Sequence, residues 1–233
     1  MNCVQAVVLA GGAGTRVRSI TAGPKSLLPV AGKPVIDHIV LTCLAQGIER
    51  VIIAAGYRGE QLHSHVAERF ANMPVTFRQE ETPQGTGGAL RGLKTLLEGD
   101  FFVLNGDTLF AADLPSLMAY HRASKAAVTV GLARDQRLDA GQVKVTGLPG
   151  WITSYAEKAS DTSKSGLISA GIYAMNAEVL NLVPPPPSSL EYDLIPELVT
   201  RGRVAGFPVM AVYDIGTEKR FREAEIAWRH MSQ

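Results

Sequence analysis

The 233-residue chain is 46% hydrophobic and 19% charged, enough for one sizeable core or a core domain with a small lobe. Its net charge of +1 comes with no cationic run, which leaves no electrostatic footprint for nucleic acid or an anionic membrane surface. Two cysteines, Cys3 and Cys43, are too few for a disulfide framework or a zinc site. They sit among apolar residues as buried thiols of a reducing compartment do, no basic leader precedes the first strand, and no apolar run approaches the ~20 residues of a membrane span, so the expected location is cytoplasmic.

In chain order, residues 4–10 read as a short buried strand that runs into Gly11-Gly12-Ala13-Gly14-Thr15-Arg16-Val17-Arg18, with Pro24-Lys25 close behind. That composition describes a phosphate site. Glycines let backbone N–H groups approach an oxyanion, and Arg16, Arg18 and Lys25 add the charge that a polyphosphate demands. A Walker loop is excluded, because the one Gly-Lys pair, Gly32-Lys33, is followed by Pro34 instead of Ser or Thr. A dinucleotide fingerprint would need a glycine where Val17 stands.

Beyond the loop the elements alternate. Residues 34–47 have helical spacing, 50–55 read as a strand, 59–70 as a helix, 75–78 as a strand, 85–97 as a helix and 101–104 as a strand too apolar to have a wet face. Strands spaced in this way predict an α/β fold, a Rossmann-like, mostly parallel sheet with helices on both faces and ligands in the crevice beyond the strand C-termini. From residue 126 the character changes: short β-rich segments at 127–132, 142–146 and 152–155 predict a small, partly antiparallel lobe over the crevice. A strand at 167–175, a stiff proline loop at 184–187, a helix at 192–200, a further strand of the parallel set at 209–213 and a last helix at 218–230 complete the chain. It is expected to form one domain over 1–233, with a sheet part at 1–125, a small lobe at 126–183 and closing elements at 184–233. His63 and His65, two apart on a helix, point different ways and read as solvated.

Two strands end in carboxylates, Asp107 after Asn105-Gly106 and Asp214 before Ile215-Gly216-Thr217. Magnesium takes one or two protein carboxylates and completes its octahedron with phosphate oxygens and water, which suits this pair; either aspartate alone is also an ordinary cap or turn residue.

The run from Gly11 to Arg18, then Pro24-Lys25-Ser26-Leu27-Leu28-Pro29 through Gly32-Lys33-Pro34, resembles the signature of the sugar-1-phosphate nucleotidylyltransferases. The likeness continues through Pro83-Gln84-Gly85-Thr86-Gly87-Gly88-Ala89, Asn105-Gly106-Asp107, Glu157-Lys158, Ala170-Gly171-Ile172-Tyr173 and Asp214-Ile215-Gly216-Thr217. It implies that Leu9, Ala10, Gly11, Gly12, Ala13, Gly14 and Thr15 wrap the triphosphate. Arg16, Lys25 and Asp107 would be catalytic, and Asp107 with Asp214 would hold Mg2+. Glu80, Pro83, Gly85 and Thr86 would read the base. Asn105, Gly106, Gly141, Glu157, Lys158, Gly171 and Tyr173 would hold the sugar phosphate. The implied partners are a nucleoside triphosphate and a sugar 1-phosphate, and family members often form homo-oligomers.

A sugar 1-phosphate is already an oxyanion and attacks the α-phosphorus without a general base, so positioning and charge neutralisation suffice and no covalent intermediate is expected. Glu80 stands where several pyrimidine-using relatives carry Gln, and its carboxylate suits the N1–H and N2–H2 donors of guanine, which favours GTP. Within the family the chain looks most like the guanylyltransferases acting on D-glycero-α-D-manno-heptose 1-phosphate in surface-polysaccharide synthesis. Mannose-1-phosphate guanylyltransferases and amino-sugar 1-phosphate uridylyltransferases are the alternatives. A nucleotide or sugar-phosphate sensor is the reading outside catalysis; the joint presence of Arg16, Lys25, Asp107 and Asp214 speaks for an enzyme.

Overall fold

The computed structural model describes residues 4–12, 14–17, 20–56, 58–135, 142–156 and 166–231. In chain order the elements are β1 (Gln5–Ala10), the hairpin β2 (Pro29–Val30) and β3 (Lys33–Pro34), α1 (Val35–Ala45), β4 (Arg50–Ala55), α2 (Gly59–Arg69), β5 (Val75–Gln79) and α3 (Gly85–Gly92). There follow β6 (Asp100–Asn105), β7 (Thr108–Ala111), α4 (Leu114–Ser124), β8 (Val128–Arg134), β9 (Gln142–Val145), β10 (Gly150–Ala156) and β11 (Leu167–Asn176). The chain ends with α5 (Ile195–Thr200), β12 (Val204–Pro208), β13 (Ala211–Asp214) and α6 (Glu218–Met231).

Nine strands form one sheet in the order β5-β4-β1-β6-β11-β8-β12-β10-β9. Its first four strands are parallel; β11 runs antiparallel to both β6 and β8, and β12 runs parallel to β8. The β-rich second half thus extends the same sheet. Along each central strand alternate residues go to opposite layers, the period of two expected of a doubly covered sheet. Ala6, Val8, Phe102, Leu104, Ile172 and Ala174 join the core under α1, α2, α4 and α6, whereas Val7, Phe101, Val103, Tyr173 and Met175 join the core under α3 and α5.

Several expectations need correction. The expected helix over 85–97 stops at Gly92, and after Leu93 the chain continues as a 3-10 turn, Lys94–Leu96: Gly87, Gly88 and Gly92 weaken the helix. The strand before Asp214 is not part of the parallel set. As β13 it pairs antiparallel with β7 in a separate two-stranded ribbon, while Val204–Pro208 supplies the sheet strand. α4 and β7 went unread in the sequence. Asp113 caps α4, its carboxylate accepting from Ser116 N at 3.0 Å. His65 is tied down, its Nε2 lying 2.6 Å from Oδ1 of the buried Asp37, which also accepts from Arg69 at 3.1 Å.

The last helix braces the first loop. Glu225 accepts from Ala31 N at 2.8 Å, and Trp228 Nε1 donates to His38 Nδ1 at 3.2 Å, which fixes α6 against the β2–β3 hairpin and against α1.

Candidate active site

A cavity of about 640 Å³ opens beyond the C-terminal ends of β1, β4, β5 and β6. Its walls include Leu9, Ala10, Gly11 and Gly12 after β1, Gly56 after β4, Glu80 and Glu81 after β5, and Asn105, Gly106 and Asp107 after β6. Parallel strands all deliver their C-terminal residues to one edge, so this convergence follows from topology. Two main-chain bonds lock the edge: Gly106 N donates to Leu9 O at 2.9 Å and Glu80 N to Ala55 O at 2.8 Å.

Lys25 and Asp107 line this cavity as an ion pair, Lys25 Nζ donating to Asp107 Oδ2, with side chains 15% and 31% exposed. Thr108 Oγ1 donates to Asp107 Oδ1 at 3.2 Å. Asp214 reaches the same corner through the β7–β13 ribbon, which sets it opposite Thr108, and Ile215 N donates to Asp107 O at 3.0 Å. The Asp214 carboxylate accepts from Gly216 N at 3.0 Å and from Arg220 Nη1 at 3.1 Å. Arg16, on the 3-10 turn Thr15–Val17, is exposed, and its Nη2 stands 3.8 Å from the position a Cβ would take on Gly216. The structure therefore brings Arg16, Lys25, Asp107 and Asp214 together.

Glu80 is the electrostatic outlier of the cavity wall. Burial raises its carboxyl pKa above the ordinary 4.5, against a smaller lowering by the Gln84 backbone N–H. Its Oε1 is buried without a partner among the described residues, and a buried carboxylate oxygen in that state is completed by a ligand or by water.

The loop entering α3 is built around a close approach. Gly85 has φ +74°, and a Cβ there would stand 2.3 Å from Ser188 O, so only glycine fits. Ser188 O in turn accepts from Gly87 N at 2.8 Å, and Ser188 N donates to Gln84 O at 2.9 Å, which anchors the exposed 185–187 prolines to the loop. Thr86 Oγ1 donates to Glu191 Oε2 at 2.7 Å and accepts from Leu190 N at 2.9 Å. Glu191, on the cavity wall, also accepts from Ser189 Oγ at 3.0 Å and from Tyr173 OH at 3.5 Å. Tyr173 itself is buried behind Glu191, and burial, with Tyr155 and Glu191 adding to it, holds its phenol well above the usual range. Gly171 has φ +67°, and a Cβ on it would stand 2.6 Å from Asn105 Nδ2; this glycine lets the β11 irregularity press Asn105 toward the cavity.

Of the sequence-derived residues, Leu9, Ala10, Gly11, Gly12, Lys25, Glu80, Pro83, Gly85, Thr86, Asn105, Gly106 and Asp107 line the cavity. Gly14, Arg16, Gly171, Tyr173 and Asp214 are off its wall. Ala13, Arg18, Gly141, Glu157 and Lys158 lie outside the described residues, as does the side chain of Thr15. Sequence reasoning missed Ser26, Gln79, Glu81 and Glu191. Glu191 had a readable signal, a carboxylate just past the Ser188-Ser189 cap, but its route into the site depends on Ser188 packing on glycine.

A cavity of this construction belongs to α/β enzymes that handle phosphates. Residues 5–229 match the family described as Nucleotidyl transferase, and the chain belongs to that family of nucleotidyltransferase enzymes. It is 34% identical over 226 residues to a mannose-1-phosphate guanylyltransferase of Mycobacterium tuberculosis, covering 94% of this chain and 62% of that protein. The chain thus spans less than two thirds of that relative's length. It is 28% identical to a D-glycero-α-D-manno-heptose 1-phosphate guanylyltransferase of Aneurinibacillus thermoaerophilus over 97% of this chain and 99% of that protein. In structure it is similar to HddC from Yersinia pseudotuberculosis complexed with GMP-PN, with a TM-score of 0.82 at 24% identity and coverage of 97% and 99%. No helix among the described residues is long and apolar enough to cross a membrane.

Proposed function

We propose that the chain transfers GMP from GTP to D-glycero-α-D-manno-heptose 1-phosphate, releasing pyrophosphate and forming a GDP-heptose for surface-polysaccharide synthesis. The observation that carries this reading is the cavity itself: the Lys25–Asp107 pair and the unpartnered Glu80 oxygen line one space of about 640 Å³ beside the glycine loop. Cavities of 300–1,000 Å³ hold ligands of nucleotide size. Glu80 favours guanine, because an ionised carboxylate accepts from N1–H and N2–H2. The near full-length match to the heptose enzyme supports the sugar; the higher identity to the mannose-1-phosphate enzyme supports mannose 1-phosphate as the second reading.

In this mechanism a phosphate oxygen of the sugar 1-phosphate forms a bond to the α-phosphorus as the bond from that phosphorus to the bridging oxygen of the β-phosphate breaks. The electron pair leaves on pyrophosphate, and no proton has to be abstracted from the nucleophile. Lys25 and Arg16 neutralise phosphate charge, and the Leu9–Gly12 backbone orients the triphosphate. Asp107, in the turn before β7, and Asp214, at the end of the neighbouring β13, would supply hard oxygen ligands, and no cluster of three or more metal-ligating side chains forms among the described residues. That donor set fits Mg2+, which takes few protein carboxylates and completes its shell with phosphate and water. Bound there, the ion would supply charge neutralisation for the rearranging phosphates. Residues 1–125 would form the nucleotide part, 126–183 the sugar part and 184–233 the closing elements.

Pyrophosphate release, measured with magnesium, four nucleoside triphosphates and a panel of sugar 1-phosphates, tests the proposal. GTP with heptose 1-phosphate is expected to give the highest kcat/KM. Preference for UTP would overturn the guanylyl reading, and no turnover with any pair would overturn the transferase reading.

A further inference from the structure

Glu191 lines the cavity from a segment that close packing on two glycines holds in place. We propose that Glu191 is a specificity-determining residue, accepting hydrogen bonds from ring hydroxyls of the sugar 1-phosphate; this rests on the nucleotidyl-transfer reading above.

Three observations point there. First, the wall is divided by charge. Lys25, paired with Asp107, and the backbone of the glycine loop suit phosphate, whereas Glu80, Glu81 and Glu191 are carboxylates, and among the described residues Glu191 forms no ion pair. A carboxylate without a cation repels phosphate and takes neutral N–H or O–H donors. Second, Glu191 is preset as an acceptor. Its Oε2 accepts from Thr86 Oγ1 at 2.7 Å and from Ser189 Oγ at 3.0 Å, which leaves Oε1 with one described partner, Tyr173 OH at 3.5 Å. An ionised carboxylate has about four lone-pair sites, so Oε1 keeps room for a ligand hydroxyl. Ser188, packed on Gly85 and Gly87 and bonded to Gln84 O, fixes the segment before any ligand arrives, so little ordering is left to oppose binding.

Third, its place in the sheet sets it apart from Glu80. Glu80 follows β5, at one edge of the parallel set, whereas Glu191 backs onto Tyr173 of β11, four strands further along the sheet order. The same strand carries Gly171, which presses Asn105 toward the cavity. With the triphosphate on the Leu9–Gly12 loop and the base at Glu80, the ring beside β11 is that of the sugar phosphate.

The test is the coupling between Glu191 and single hydroxyls of the substrate. The probes are mannose 1-phosphate, whose ring configuration is common to both sugar readings, and its 2-, 3- and 4-deoxy analogues, with kcat/KM taken from pyrophosphate release with magnesium and GTP. Wild type is expected to lose tenfold or more on the analogue that lacks the contacted hydroxyl. In Glu191→Gln the amide oxygen can stand in for Oε2 against Thr86 and Ser189, so the loop contacts survive. That variant is expected to lose about tenfold on mannose 1-phosphate, to discriminate against the same analogue at least fivefold less than wild type, and to keep its KM for GTP within twofold. Equal discrimination by the two proteins overturns the proposal and leaves Glu191 a tether of Thr86. Discrimination that falls against 2′- or 3′-deoxy-GTP instead makes Glu191 a reader of the ribose and also overturns it. If the Gln variant does not fold, Glu191→Asp, which draws the charge back by one methylene, replaces it under the same criterion; a wild type indifferent to all three deletions overturns the proposal without a variant. Turnover of some sugar 1-phosphate by wild type separates the two failures: with it, only the Glu191 assignment fails, and without it the transferase reading fails.

Discussion

Replacing Asp107 with Asn separates the chemistry of the site from its structure. The amide keeps the shape: with its oxygen turned toward Lys25 Nζ its NH2 faces Thr108 Oγ1, which then accepts instead of donating, so the local contacts survive with one charge lost. The Lys25–Asp107 pair is partly exposed, at 15% and 31%, and pairs open to solvent contribute ~1 kcal/mol or less. For a chain of this size that is a fall in Tm of about 2–4 °C. Activity should respond on another scale, because a charge facing the rearranging phosphates is removed and kcat should fall by roughly 10²-fold or more. Asp214→Asn should behave likewise, since its oxygen can still accept from Gly216 N. Pyrophosphate release across a magnesium titration, with thermal melts of the same samples, measures both quantities. Turnover above a tenth of wild type in both variants would refute the two-carboxylate site. Loss of activity only alongside a Tm collapse would make the pair structural.

Arg16→Ala is expected to lower kcat by roughly 10²-fold while changing the KM for GTP little, because an exposed side chain beside the Gly216 turn gains most as charge moves to the leaving group; steady-state kinetics in both substrates check it. The KM for GTP should rise as pH falls toward the raised pKa of Glu80, at pH values above 4.5 where an ordinary glutamate remains ionised, and Glu80→Gln should remove that dependence and erode the preference for GTP over ITP. Gly171→Ala should lower Tm through ~1–2 kcal/mol of left-handed backbone strain and, by displacing Asn105, raise the KM for the sugar phosphate; an unchanged sugar KM would place Asn105 outside the sugar site. His121 is buried and pushed below its usual 6.5 mainly by desolvation, despite Asp100 nearby, so the unfolded chain binds its proton more readily. Its contribution to stability is present above 6.5 and is lost as pH falls through the folded pKa, which melts between pH 5 and 8 should show and His121→Gln should flatten.

The legible parts of this protein were those in which local pattern and global placement agree. Residues 6–10 and 51–55 are continuous apolar runs, and such runs have one use in an alternating chain, as central parallel strands. Their C-terminal residues then reach the site by topology, which is why the glycine loop and Asn105-Gly106-Asp107 were identifiable, whereas Glu80 was assigned through the family resemblance. The second half resisted because its pattern is ambiguous. Val204–Pro208 and Ala211–Asp214 are separated by two residues, and nothing local says that the first enters the sheet and the second forms a ribbon with β7. Helix α4 was missed because its buried face, Leu114, Leu117, Met118 and His121, contains a histidine that reads as polar until Thr129 Oγ1 is found 2.9 Å from its Nδ1.

The ribbon that escaped sequence reading is what makes the candidate site work. Were Val212 and Tyr213 in the main sheet, Asp214 would end a strand several ladders from Asp107, since β12 lies three strands beyond β6 in the sheet order. Neighbouring ladders are about 4.8 Å apart, so that separation would be roughly 14 Å, too wide for two carboxylates to share one small cation. Pairing β13 directly with β7, the strand that follows Asp107 after a single peptide bond, sets Asp214 opposite Thr108 instead. The ribbon also turns the chain straight into α6, whose third residue, Arg220, then meets Asp214, and whose Glu225 holds the hairpin behind Lys25. One antiparallel register thus positions a carboxylate, an arginine and, through α6, the segment behind the lysine. A register slip of one residue would turn Asp214 to the opposite face of the ribbon and separate all three from Asp107.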